Sequence, residues 1–145
     1  MSATALTEAG LQRIHELFQR VRYAKLVGIE IDEVSRGFVK MHLDARDELR
    51  QVNDVLHGGS VASLIDTAAA FAVITLLDDG QSATTSDLTI HYLRPLATGR
   101  VSAEARVLRP GRRLLVVAVE VFGDSGSLAA TAVTTYVRLT QEKTH

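Results

Sequence analysis

The 145-residue chain contains no cysteine. That absence removes disulfides, cysteine-ligated zinc and thiol nucleophiles together. Aromatic residues make up only 5% of the chain, which argues against a cage of stacked rings as its binding site. Charge of one sign is missing too: 16 Lys and Arg face 17 Asp and Glu, so there is no basic footprint for nucleic acid. Metal-ligand spacing is absent. His15, His42, His91 and His145 stand apart in the sequence, and His42 and His91 fall on strand positions expected to face outward, so no metal site is expected. Ser60 and Ser63 lie near His57 and Asp66, but no Gly-x-Ser-x-Gly elbow accompanies them, which excludes the serine-triad reading. Met1 to Gly10 carries Glu8 and no Lys or Arg. It does not read as a signal peptide, and a cytoplasmic location is expected.

What is present is apolar surface. Hydrophobic residues make up 46% of the chain, enough to build one core in one domain. The longest apolar stretch runs from Gly58 to Leu77, with Asp66 its only charge. Its length approaches that of a membrane span. Ser60, Ser63, Asp66, Thr67 and Thr75 interrupt it, so it reads as the buried central helix of a soluble fold, ended by Asp78-Asp79-Gly80. Thr7 caps a first helix with Leu11, Ile14, Leu17, Phe18 and Val21 at helical spacing, and Gly28 stops it. Ile29 to Val34 and Phe38 to Leu43 read as strands, and Asp44 to Leu56 as a loop. Four further strands are expected around Leu88 to Tyr92, Val101 to Leu108, Leu114 to Phe122 and Leu128 to Leu139. Strands segregated around one very apolar helix imply an α+β fold, an antiparallel sheet wrapped on that helix. The expected organisation is a single domain over 1–145: an N-terminal helix in 1–27, a core in 28–139 and a tail in 140–145.

The chemistry concentrates at the start of the central helix. His57-Gly58-Gly59 opens it, and bare glycine amides at a helix start can approach a ligand oxygen, aided by the helix dipole. Such amides can hold an oxygen that turns negative during reaction. A lone carboxylate in an apolar helix is costly unless it is paired or used, so Asp66 is the candidate acid or base. Together these suggest acyl transfer to water. Gly58 and Asp66 are eight residues apart, and at about 1.5 Å per residue their axial separation is roughly 12 Å. A donor and a base acting on one carbonyl group must come far closer. If both groups act, they meet across two chains, and a two-fold dimer would bring them together twice.

These residues carry a family resemblance. Gln51, then Asp54-Val55-Leu56-His57-Gly58-Gly59, then Leu64-Ile65-Asp66-Thr67-Ala68 is similar to the hotdog-fold thioesterase superfamily, in its phenylacetate-pathway (PaaI-like) acyl-CoA branch. Thr85-Ser86-Asp87-Leu88, Tyr92-Leu93-Arg94-Pro95 and Gly111-Arg112-Arg113 extend the similarity over about Gly28 to Arg138. The resemblance implies an antiparallel sheet wrapped around the central helix, hydrolysis of an acyl-CoA or aroyl-CoA, and sites at the interface of a homodimer or homotetramer. It implies that the Gly58 amide polarises the thioester carbonyl and that Gln51 assists. Asp66 would act as general base or nucleophile, and Thr85 would help place water. Many relatives have glycine where this chain has Asp54. No cofactor is implied beyond the coenzyme A of the substrate.

Several residues retain two readings. His57 could be a base or could order the loop entering the helix. Gly58 and Gly59 could serve substrate or merely relieve packing against a strand. Thr84 and Ser86 flank Thr85, so a slip of one residue would change the choice of hydroxyl. Arg109, Arg112 and Arg113 flank a turn and Arg94 follows Tyr92-Leu93; each is either a solvated surface residue or a ligand for coenzyme A phosphates. The acyl group is expected along the central helix, beside Phe71 and Val73. Two rival functions remain: a non-catalytic acyl-CoA-binding dimer, and an enoyl-thioester hydratase or dehydratase, whose His-Phe-Pro pattern this chain lacks.

Overall fold

The computed structural model describes residues 5–140. The N-terminal segment forms two helices rather than the single one expected, α1 (Glu8–Gln19) and α2 (Arg22–Val27). Thr7 caps α1 by accepting the Gly10 amide, and Gly28 closes α2 in the left-handed conformation with φ 86°. The break falls at Val21, which is extended and carries no side-chain cap, while the apolar spacing runs on across it. The outer strands are β1 (Glu30–Ser35) and β2 (Phe38–Asp44). The expected loop that follows contains one turn of 3₁₀-helix, Asp47–Leu49, and an isolated bridge between Arg50 and Leu56.

The central helix α3 spans Gly58–Ile74. It stops short of Leu77 because Thr75 turns its hydroxyl onto Ala72 O at 2.6 Å and accepts the Gly37 amide at 2.7 Å. The last amides, at Leu76 and Leu77, tighten to bonds three residues back. The remaining strands are β3 (Gln81–Tyr92), β4 (Arg100–Pro110), β5 (Leu114–Phe122) and β6 (Leu128–Thr140). Strand β3 begins well before the expected Leu88, because its first half is polar and gives no apolar alternation. The expected tail lies almost wholly outside the described residues, as does His145.

All six strands pair antiparallel in the order β1-β2-β4-β5-β6-β3. The sheet curls around α3, as expected from the sequence. Leu64, Ile65, Ala68, Ala69, Ala72 and Val73 of α3 are fully enclosed against Val39, Met41, Val101, Ala103, Leu115, Val117 and neighbouring side chains of the sheet. The alanines let the sheet close tightly on the helix, and truncating a filled position such as Leu64 would cost about 2–5 kcal/mol. This burial corrects one expectation: Val73 is sealed in the core and cannot line an acyl site. A second correction concerns His42. It sits on the outward-facing register, yet it is only 5% exposed. Asp32 and Glu30 of the neighbouring strand flank it, the first at 2.7 Å from Nδ1 and the second at 3.6 Å from Nε2.

Strand β3 ends the sheet. It pairs with β6 on one side only, so the other side presents the backbone edge of a twelve-residue strand. That edge lies alongside the residues that gather around α3.

Candidate active site

The start of α3 is built by its own sequence. His57 is the N-cap, and its ring Nδ1 accepts the Gly59 amide at 2.8 Å. The backbone of His57 is anchored by its amide to Leu49 O at 2.8 Å. His57 therefore orders the helix entry through Nδ1. Gly59 is consumed by this cap, and a side chain there would strike the ring at 2.9 Å. The Gly58 amide, one residue earlier, has no acceptor among the described residues. It is the first amide of a long helix, unpaired and carrying the positive end of the helix dipole. Tyr92 pins the same residue from the other side, donating its hydroxyl to Gly58 O at 2.8 Å.

Asp54 explains the departure from glycine in the loop before this helix. It has φ 60° and is the one non-glycine residue with positive φ among the described residues. Aspartate tolerates that conformation better than most side chains, though glycine holds it without strain. Gln51 lies in the same turn. Its side-chain carbonyl accepts the Asn53 amide, and its backbone is paired with Val55 and Asp54.

The Gly58 end opens into a cleft of about 330 Å³ lined by Leu56, Val61, Tyr92, Arg94 and Leu96 among others. Gln51 does not line it. Arg94 does, so one of the four candidate arginines shares the cleft with Gly58. Arg109, Arg112 and Arg113 are exposed at the hairpin joining β4 and β5. That hairpin lies by the opposite end of β3: Arg138, paired with Ala83, reaches Gly111 O at 3.3 Å and bonds its amide to Arg113 O.

Asp66 occupies a second cleft, of about 490 Å³, lined by Leu17, Val21, Ala70, Phe71, Ile74, Thr85 and Tyr136 among others. Phe71 faces it with little exposed surface, 3%, and packs edge-on against Phe18 with ring centroids 5.4 Å apart. The Asp66 carboxylate is held on one oxygen. Thr85 donates to Oδ1 at 3.0 Å and Tyr136 donates to the same atom at 2.7 Å. Tyr136 also bonds Asp66 backbone O at 2.9 Å. Burial pushes the Tyr136 phenol far above the ordinary tyrosine range, and the adjacent Asp66 carboxylate adds to the rise, so the hydroxyl stays a proton donor. Sequence reasoning selected Thr85 and missed Tyr136. The signal was available: a tyrosine on the inward register of an otherwise Val, Ala and Thr strand needs a partner for its hydroxyl.

Residues 53–130 match the model of the thioesterase superfamily. The protein SSO1253 of Saccharolobus solfataricus is 31% identical over 127 residues, covering 88% of this chain and 84% of its own. The chain belongs to the thioesterase superfamily. This thioesterase is also similar to the medium/long-chain acyl-CoA thioesterase YigI of Salmonella typhimurium, 26% identical over 94% of this chain and 99% of that protein. Among solved structures, the Escherichia coli PaaI protein from the phenylacetic acid degradation operon superposes with a TM-score of 0.85 at 27% identity, covering 93% of this chain and 96% of its own. The expected hotdog fold is therefore the observed one.

Among the described residues of the thioesterase, no group of three His, Asp or Glu side chains could hold a metal ion. Nor is any helix there long and apolar enough to cross a membrane.

Proposed function

We propose that this thioesterase hydrolyses acyl-CoA at sites shared between two copies of the chain. The observation that carries the reading is the pairing, on one helix, of a free Gly58 amide with a carboxylate eight residues away. Their axial separation of about 12 Å excludes a joint action within one protomer. The open edge of β3 supplies the means of assembly. An antiparallel pairing of β3 with its own copy reverses the strand ends. The Thr85 end of one protomer then faces the Tyr92 end of the next, and the partner's Asp66 meets Gly58.

The chemistry follows. The thioester carbonyl oxygen accepts the Gly58 amide and gathers negative charge there as the carbon is attacked. The partner's Asp66 draws a proton from water, whose oxygen forms the new bond to the carbonyl carbon. The carbon–sulfur bond then breaks. The coenzyme A sulfur leaves with the proton held by Asp66, giving free acid and thiol. Thr85, bonded to Asp66 and exposed on β3, is placed to hold that water. The acyl group lies in the apolar cleft beside Asp66, against Leu17, Val21, Phe71 and Ile74. Arg94, near the Gly58 amide, serves the coenzyme A phosphates. The hairpin arginines Arg109, Arg112 and Arg113 reach the same cofactor portion from the partner, because the two-fold carries their end of the sheet there.

A mixed dimer tests this. Asp66→Asn and Gly58→Pro homodimers are each expected to be inactive on hexanoyl-, dodecanoyl- and phenylacetyl-CoA. The heterodimer purified on two tags regains about half of wild-type turnover, since one of its two sites is whole. A heterodimer as inactive as its parents would refute the shared site. Binding without thiol release by wild type would favour the non-catalytic alternative.

A further inference from the structure

We infer that Tyr136 is a positioning residue that dedicates one oxygen of Asp66 to structure and leaves the other to chemistry. The inference rests on the reading of Asp66 as the acid that activates water. Aspartate on a helix has two rotatable bonds, and an unrestrained carboxyl group can present either oxygen in many directions. Here two hydroxyls fix it. Thr85 and Tyr136 are directly opposite each other in the pairing of β3 with β6, so the sheet register itself sets their spacing. Both donate to Oδ1. Oδ2 accepts no hydrogen bond from the described residues, while Asp66 as a whole lines the cleft. The carboxylate plane is thus set by the strands, and its free oxygen is the one that can take a proton.

The two donors are unlike. Thr85 is exposed on the open sheet edge and can serve water as well as Asp66. Tyr136 is 3% exposed and comes from the neighbouring strand β6. Its single proton is shared between Oδ1 and the backbone carbonyl of the same residue, which ties side chain and helix turn to one point of β6. Burial keeps the phenol protonated well above the ordinary tyrosine range, so it remains a donor to Asp66. Tyr136 does not touch the reacting atoms; it acts through Asp66.

The test is Tyr136→Phe, which keeps the ring in the core and deletes the hydroxyl. Assayed on the member of the acyl-CoA panel that wild type hydrolyses fastest, kcat is expected to fall about 10- to 100-fold, with KM within about twofold. A hydroxyl that only braced the fold would lower the melting temperature and leave kcat of the folded enzyme unchanged; that result overturns the inference. Should Tyr136→Phe fold poorly, its kcat is read per folded molecule below its melting temperature, with the folded fraction taken from circular dichroism. A drop in that kcat at constant KM supports the inference, and a wild-type value overturns it. Asp66→Asn, run alongside, separates the two levels. If it retains wild-type turnover, the role of Asp66 fails and the inference falls with it. If it is inactive while Tyr136→Phe turns over like wild type, only the inference fails.

Discussion

Proline at position 58 removes one hydrogen-bond donor and little else. Gly58 is the first residue of α3, the helical position where proline is best tolerated because its missing N–H has no intrahelical partner. His57, which would precede the proline, has φ −60° and ψ 135°, within the extended region that a pre-proline residue adopts. A side-chain carbon at Gly58 meets the Tyr92 ring and hydroxyl at 3.4 Å, at the edge of ordinary contact. Stability is therefore expected to change by no more than about 1 kcal/mol. Activity is another matter. Loss of one oxyanion donor typically lowers kcat by about 10²–10³, or roughly 2.7–4 kcal/mol of transition-state stabilisation. Gly58→Ala is the control, since it adds the same first carbon and keeps the amide; its kcat is expected within about threefold of wild type. Released coenzyme A can be followed continuously with a chromogenic disulfide. The chain has no cysteine, so the protein contributes no thiol of its own. If Gly58→Pro retains helix content, melting temperature and dimer mass, and turns over within about tenfold of Gly58→Ala, then the Gly58 amide is not the oxyanion donor.

Three further outcomes are expected. Asp54→Gly relieves a positive φ and should raise stability by about 0.5–1 kcal/mol in urea titration; a fall would mean that the Asp54 side chain holds the turn. His57→Ala removes the cap on the Gly59 amide and should lower stability by about 1 kcal/mol, seen as a lower melting temperature. The Tyr136 phenol is raised chiefly by burial and further by Asp66, against a lowering by the Thr85 hydrogen bond, so the folded state keeps a proton that the unfolded state loses above about pH 10. Its contribution to stability is intact below that pH and declines above it, by up to about 1.4 kcal/mol per pH unit. Urea midpoints of wild type should therefore drop more steeply between pH 10 and 11 than those of Tyr136→Phe, and parallel slopes would contradict the assignment.

The sequence made α3 legible because nothing but a buried helix accommodates so long an apolar run with one acid inside it. Strand β4 was readable from alternation, since one of its faces meets the core, and β5 and β6 from their β-branched runs bounded by turn residues. The first half of β3 was hidden: Gln81 to Asp87 is polar but for Ala83, the composition of a loop, and only pairing with β6 makes it a strand. The helix break at Val21 was hidden by Leu17, Phe18 and Val21, which keep helical spacing across it. His42 shows where parity is insufficient. Its alternation with Met41 and Leu43 was read correctly as the outer face, but the carboxylates of the adjacent strand cover it there. The glycine amide and the acid were both visible as residue types out of place. Tyr136 was visible only as an inward tyrosine in need of some partner; that the partner is Asp66, seventy positions away, comes from the fold alone.

Strand β3 works as a gauge rod for the whole centre. Thr85 near one end is set against the acid, Tyr92 at the other end is set against the helix start, and the irregularity between Thr85 and Asp87 fixes the count between them. Slippage of this strand by a single position would unseat both attachments at once. Its length between those two marks is therefore a quantity that insertions and deletions cannot alter without dismantling the machinery, however polar and loop-like the letters look.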